Sequence, residues 1–151
     1  MTTTISPSIF KAYDIRGVVD DTLTVPAVRA IGLALGTLAR KAGTRETAIG
    51  RDGRLSGPKL SSALADGFRA AGVDVVDIGM VPTPVVYYAT FELGTGTGVA
   101  VTGSHNPPDY NGLKMVIAGE AIYGDAIQAL RESIASGAHA EVPASQRGGL
   151  R

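Results

Sequence analysis

Apolar positions recur along this chain at two spacings, and the switches between them mark out its elements. Val28, Ile31, Leu35, Leu38 and Ala42 fall three and four residues apart, the period of one helix face. They predict a helix over 24–42, capped by Thr24, with Pro26 in its first turn and Gly43 ending it. Gly32 and Gly36 weaken that helix and predict close approach to a neighbour. Residues 47–50 read as a short strand. Leu60, Ala63, Leu64, Gly67, Phe68 and Ala71 form a second helical stripe, with Ser56 expected as its cap and Gly72 as its end. Val- and Ile-rich residues 73–78 predict a strand. A turn over 79–82 leads to a third helix, from Thr83 to a stop at Gly94.

Residues 98–102 predict a third strand and 113–117 a fourth. No helix separates these two, so the fourth is expected to run antiparallel to the third. A last helix over 125–136 turns Ile127, Leu130 and Ile134 inward. After the first helix the order is β-α-β-α-β-β-α, an α/β domain with helices on both sheet faces. Parallel strands joined by right-handed crossovers give that arrangement. The pattern dissolves after Gly137. Residues 1–137 are therefore read as one domain and 138–151 as a linker toward a second domain missing from this chain, which looks cut there. Residues 9–17 are too short and mixed for a helix. Their apolar members anchor them to the core and leave the polar ends of Tyr13, Asp14 and Arg16 to account for. They are either a solvated edge or a site whose Arg16 offers a planar fork to phosphate.

Composition narrows the function classes. Fourteen basic residues balance fourteen acidic ones, so no global field draws the chain to nucleic acid. Cysteine is absent, which removes disulfides, thiol nucleophiles and Cys-built zinc sites. No apolar run reaches the ~18 residues of a membrane span, and Met1 to Ser8 lacks the order of a signal peptide. The expected setting is soluble and cytoplasmic, with no membrane partner.

Candidate chemistry concentrates between the third and fourth strands, in Thr102-Gly103-Ser104-His105-Asn106-Pro107-Pro108-Asp109-Tyr110-Asn111-Gly112-Leu113-Lys114. A connector that only turns the chain is shorter, about two to five residues. Ligands in such sheets bind beyond the carboxyl ends of the strands. Those ends carry Ser104-His105 and Arg51-Asp52, which suggests one shared site, although Arg51, Asp52 and Arg54 also fit a charged turn with a local ion pair. Gly94, Gly96 and Gly98 precede a strand, whereas the dinucleotide fingerprint follows one. Gly103-Ser104-His105 lacks the second glycine of the hydrolase elbow. Two readings of the loop remain: an unspecified binding loop, or phosphoryl transfer. Phosphoryl transfer asks for a positioned hydroxyl and neutralising cations, and Ser104, Lys114 and Arg16 could supply them.

The segment Thr102-Gly103-Ser104-His105-Asn106-Pro107 resembles the phosphoserine loop of the α-D-phosphohexomutases, in particular the bacterial phosphomannomutase/phosphoglucomutases. The likeness extends to 10–17, 50–56, 81–84 and 111–114. It implies a three-layer α/β/α sandwich on a four-stranded mixed sheet, the first of four domains. It implies that Ser104 exchanges a phosphate with a hexose monophosphate, mannose or glucose, through a bisphosphorylated sugar. An oxygen of that phosphate would join the coordination of Mg²⁺, and glucose 1,6-bisphosphate would serve as activator and intermediate. His105 and Lys114 would polarise phosphate and sugar hydroxyl or assist proton transfer. Tyr13 and Arg16 would line the site, and Asn106 would shape the loop. The remaining domains of the parent chain are the expected partners, and the chain alone is expected to be inactive. A phosphoglucosamine mutase domain and a non-catalytic phosphosugar-binding or interaction domain are the alternatives.

Overall fold

The computed structural model describes residues 4–151; Met1 to Thr3, part of the stretch read above for a signal peptide, lie outside it. Ten helices and strands follow a short 3-10 turn: β1 Ile15–Val18, α1 Val25–Lys41, β2 Glu46–Arg51, α2 Gly57–Ala70, β3 Asp74–Met80, α3 Thr83–Glu92, β4 Gly96–Val101, β5 Tyr110–Ile117, β6 Glu120–Ala121 and α4 Asp125–Ala135. The sheet order is β1-β5-β4-β2-β3, with β6 continuing beside β5. β2 pairs in parallel with both β3 and β4, and β5 runs antiparallel to both β4 and β1. The four expected strands and the antiparallel fourth are present in this mixed sheet.

Two short strands join them, and one changes the reading of the loop. β1 comes from the mixed 9–17 stretch and pairs Ile15 with Leu113 and Arg16 with Gly112. That pairing draws Tyr110, Asn111 and Gly112 into β5, so the loop proper is shorter than the sequence suggested. Ser56 departs from its expected role. It makes no side-chain cap, and its hydroxyl accepts a hydrogen bond from Asn111 Nδ2 at 2.8 Å. Thr24 does cap α1, accepting from the Ala27 N–H at 3.1 Å.

The path reverses once. α2 carries the chain from β2 outward to β3, and α3 carries it back past β2 to β4. Crossovers of the usual hand that run in opposite directions lie on opposite faces. Accordingly, Leu60, Leu64 and Phe68 of α2 join α1, α4 and the inward residues Val99, Val101, Leu113 and Met115 in one core. On the other face Val86 of α3 lies over Gly50 and Gly98. The reversal leaves a crevice between the carboxyl ends of β2 and β4, where α/β sheets bind ligands.

The predicted close approach of α1 is to α2. A Cβ on Gly67 would lie 2.2 Å from the Arg29 carbonyl oxygen, and one on Gly32 would lie 2.5 Å from that of Leu64. The segment read as a linker folds back on the domain. Val142 N–H and Gly148 N–H donate to the Ala70 and Arg69 carbonyls at 2.8 and 2.9 Å. Leu150 then bridges Val75 in parallel, covering the β3 edge, whose open N–H groups would otherwise invite pairing. Among the described residues no helix is long and apolar enough to cross a membrane.

Two outcomes follow. Gly67→Ala should lower stability by about 3 kcal/mol or more, because backbone rather than a flexible side chain must yield; chemical denaturation measures it. His139 accepts or donates at Ser133 Oγ, 2.9 Å away, and its Nδ1 is buried without a partner. Burial, and then Lys41, hold its pKa below the ordinary 6.5. The unfolded chain therefore takes up the proton first. The associated stability is present above about 6.5 and is lost as pH falls through the lowered value. The melting temperature should drop between pH 8 and pH 5, and His139→Gln should remove part of that drop.

Candidate functional site

The crevice is built around a carboxylate and a guanidinium that follow β2. Asp52 N–H donates to the Val101 carbonyl at 2.9 Å, extending the β2–β4 ladder by one step and setting Asp52 beside the start of the serine loop. Its Oδ2 accepts from Thr102 Oγ1 at 3.0 Å and from the Gly103 N–H at 2.9 Å. Its Oδ1 accepts from the Arg54 N–H at 3.1 Å. Arg54 Nε lies 3.3 Å from Oδ2.

The remaining donors of Arg54 enter the hollow of the loop. Nη1 donates to the carbonyls of Pro107 at 2.6 Å and Tyr110 at 3.1 Å. Nη2 donates to those of Ser104 at 3.2 Å and Asn106 at 2.7 Å. A guanidinium has five N–H groups in a fixed fork; four donate to these carbonyls, and the fifth, on Nε, lies on the side of the Asp52 carboxylate in an ion pair. The fit leaves no room for a side chain at position 103, where a Cβ would sit 2.0 Å from Arg54 Nε. Arg51 turns to the opposite face and pairs with Asp77 at 3.5 Å.

On this frame Ser104 is exposed, with φ of 53°. That left-handed conformation is uncommon for a residue with a Cβ. Its N–H donates to Thr102 Oγ1 at 3.0 Å. His105 beside it is exposed. Asn106 shapes the turn, with its Nδ2 and backbone N–H both donating to the Gly103 carbonyl at 3.0 Å.

The two predicted cations lie on the neighbouring sheet surface. Thr102 N–H donates to the Gly112 carbonyl at 2.9 Å, and Gly112 is paired with Arg16. Thr102, Gly112 and Arg16 therefore form a row across three strands, about 10 Å long at ~4.8 Å per strand. Arg16 is ion-paired with Asp14. Lys114 is opposite Ala100, on the face α3 occupies, since strand residues alternate and Gly98 faces α3. Lys114, Tyr13, Tyr87 and Tyr123 line an open cleft of about 270 Å³. Burial, and then the Asp14 carboxylate, raise the Tyr87 phenol above its ordinary 10.0. No hydrogen bond joins Ser104 to Lys114 or Arg16 among the described residues. Nor do those residues hold a group of three His, Asp or Glu able to bind a metal ion.

Ser104, His105 and Asn106 thus share one loop, while Tyr13, Arg16 and Lys114 share the adjoining surface. The sequence reading placed Asp52 and Arg54 near the site but left them as a charged turn. The available signal was donor balance. Two prolines remove N–H groups from a carbonyl-rich loop, and the nearest uncommitted source of several donors is an arginine at the same sheet end.

The model for phosphoglucomutase/phosphomannomutase, alpha/beta/alpha domain I, matches residues 7–141. The chain is 56% identical over 131 residues to a phosphomannomutase/phosphoglucomutase of Pseudomonas aeruginosa, covering 87% of this chain and 28% of that protein. It is 51% identical over 126 residues to a phosphoglucomutase of Neisseria meningitidis serogroup B, covering 83% and 27%. A crystal structure of a phosphoglucomutase/phosphomannomutase family protein from Burkholderia thailandensis superposes with a TM-score of 0.90 at 52% identity, over 98% of this chain and 33% of that one. The chain therefore spans little more than a quarter of the length of these curated relatives.

Asp52→Ala should loosen the loop without unfolding the sheet. Hydrogen bonds to a charged acceptor contribute about 1.5–3 kcal/mol each. Hydrogen exchange at Gly103 should accelerate at least ~10-fold, with the amides of β2 and β4 unchanged. Equal acceleration throughout the sheet would count against a local role.

Proposed function

The chain belongs to the phosphoglucomutase/phosphomannomutase family, whose α/β/α domain I it carries, and on that premise we propose that Ser104 is the phosphoryl carrier of a hexose-phosphate mutase. The observation that carries this reading is the presentation of Ser104. It is an exposed hydroxyl on a left-handed backbone, at the carboxyl end of β4, where the path of the chain reverses.

In the proposed reaction a sugar hydroxyl oxygen attacks the phosphorus of phosphorylated Ser104. The P–Oγ bond breaks, the new P–O bond forms on the sugar, and the hydroxyl proton leaves to a base. The product is a hexose bisphosphate. After the sugar is presented the other way round, Ser104 Oγ attacks its second phosphate, and a hexose monophosphate with the phosphate on the other carbon departs. His105, exposed beside Ser104, is the residue proposed to handle the hydroxyl proton. Lys114 and Arg16 are proposed to attract the phosphates, and Tyr13, at 80% exposure, to meet the sugar. Mannose and glucose phosphates are the proposed substrates, with glucose 1,6-bisphosphate as the bisphosphate that primes Ser104.

Mg²⁺ would neutralise charge on the transferred group, but the described residues do not make a site for it. A hard cation of this kind takes about six oxygen ligands, and this chain would contribute an oxygen of the Ser104 phosphate. The other ligands, and a clamp for the distal phosphate, are proposed to come from further domains of a longer chain.

The 151 residues alone should therefore show no mutase turnover. Joined in place of the matching segment of the 56%-identical Pseudomonas aeruginosa relative, they should restore it. In that chimera Ser104→Ala should lower turnover at least ~10⁴-fold with little change in melting temperature. Lys114→Met should reduce kcat and kcat/KM together, the mark of a cation acting mainly in the transition state. Wild-type turnover by the Ser104→Ala chimera would remove Ser104 from the carrier role.

A further inference from the structure

We propose that Arg54 is a positioning residue that makes the outer side of the serine loop electropositive and so prepares it for a phosphate on Ser104. This rests on Ser104 as the phosphoryl carrier. Arg54 itself does not touch that phosphate. Its four Nη N–H groups are spent on the carbonyls of Ser104, Asn106, Pro107 and Tyr110, and its Nε lies 3.3 Å from Asp52 Oδ2 in an ion pair. With the side chain only 15% exposed, there is no donor left to offer outward.

Its effect passes through the peptide group that joins Ser104 to His105. Among the described residues no peptide is cis, so the N–H of each of their peptides points opposite to its carbonyl. Arg54 turns the Ser104 carbonyl inward, and the His105 N–H is thereby turned outward, on the side away from the guanidinium. That N–H finds no acceptor among the described residues. The Ser104 carbonyl oxygen, which would repel a phosphate, is withdrawn and neutralised by the same contact. The neighbouring Gly103, Ser104 and Asn106 N–H groups are already bonded to Asp52, Thr102 and Gly103, so the His105 N–H is the backbone donor left for an anion on this side.

Four contacts fix the geometry. Asp52 holds Arg54 at Nε and holds the Gly103 N–H. Thr102, itself bonded to Asp52, takes the Ser104 N–H. Lysine cannot replace the arginine, because its single ammonium has three donors and no fork.

The test needs no turnover. Phosphoserine placed at position 104 of the 151-residue chain is titrated by ³¹P NMR, with the His105 amide followed in the same samples. An exposed phosphoserine has its second pKa near 6. The wild-type loop should hold it clearly lower, with a downfield His105 amide in the dianion. Arg54→Lys should return the value toward ~6 and abolish the amide shift, while the melting curve still reports a folded sheet. Arg54→Ala should behave alike and be restored by millimolar ethylguanidinium, which can refill the vacated fork; rescue is not expected of a residue that merely packs. If Arg54→Ala does not fold, Gly103→Ala displaces the same guanidinium and should give the Arg54→Lys result. An unchanged phosphate pKa and His105 shift in folded Arg54→Lys overturns the proposal. Because the chimera assay alone reads turnover, a failed mutase reading and a failed role for Arg54 are told apart.

Discussion

A carbonyl surplus governs this domain's working end. The loop from Thr102 to Asp109 must leave the sheet, expose a serine and return, and Pro107 and Pro108 bring carbonyls without N–H groups. Backbone acceptors left dry in such a hollow are costly. One guanidinium meets the need, since it has five donors and no acceptor. Three of those donors go to loop carbonyls, a fourth to the Tyr110 carbonyl at the start of β5, and Nε is ion-paired with Asp52. Gly103 is then a steric requirement, because the hollow is already full. The Asp52 carboxylate keeps the arrangement near neutral, so the half-buried cation is paired and does not act as a stray field.

The rest of the fold delivers these parts to one place. Asp52 and Arg54 follow β2, and Ser104 follows β4. Those strands are neighbours only because the α3 crossover reverses the direction set by α2. The parallel β2–β4 register matches Arg51 to Val101, so both chains leave the sheet at the same height. A slip of one residue would move Asp52 off the Gly103 N–H and turn its side chain to the other face. The bare glycines at α1–α2 act elsewhere: with Gly32 and Gly67 in backbone contact, they hold α2, the helix that follows the Arg54 turn, close against α1.

Elements with one strong period were legible in the sequence, and elements defined by a distant partner were not. The helix faces of α1, α2 and α4 stood out because each buries one stripe. The family's serine loop was legible from its residues. β1 was not, because four residues of mixed polarity become a strand only when β5 lies beside them. The Ser56 cap failed for a similar reason: Asn111, fifty-five residues away in the chain, claims its hydroxyl. Residues 148–151 look unstructured by composition, yet their backbone pairs with β3, and backbone pairing leaves little trace in side-chain pattern. Asp52 and Arg54 were visible as charges at a strand end. Their partners are backbone carbonyls of another loop, so residue types alone could suggest an ion pair but not a scaffold.

The electrostatics of the exposed face bear on what such a domain does within the proposed reaction. A phosphate on Ser104 would carry up to two negative charges. Of the nearest cations, Arg54 is committed inward and Arg16 is ion-paired with Asp14. Lys114 lies on β5 among tyrosines, one residue pair beyond Gly112 on the same face. One ammonium and a partly neutralised guanidinium can attract a phosphorylated ligand but do not balance two phosphates and a transferring group. That deficit leaves the transferring group short of the neutralising charge that phosphoryl transfer needs. On this reading the domain aims and primes the phosphate. In the proposed reaction, charge arriving with further domains would then make transfer conditional on a bound substrate.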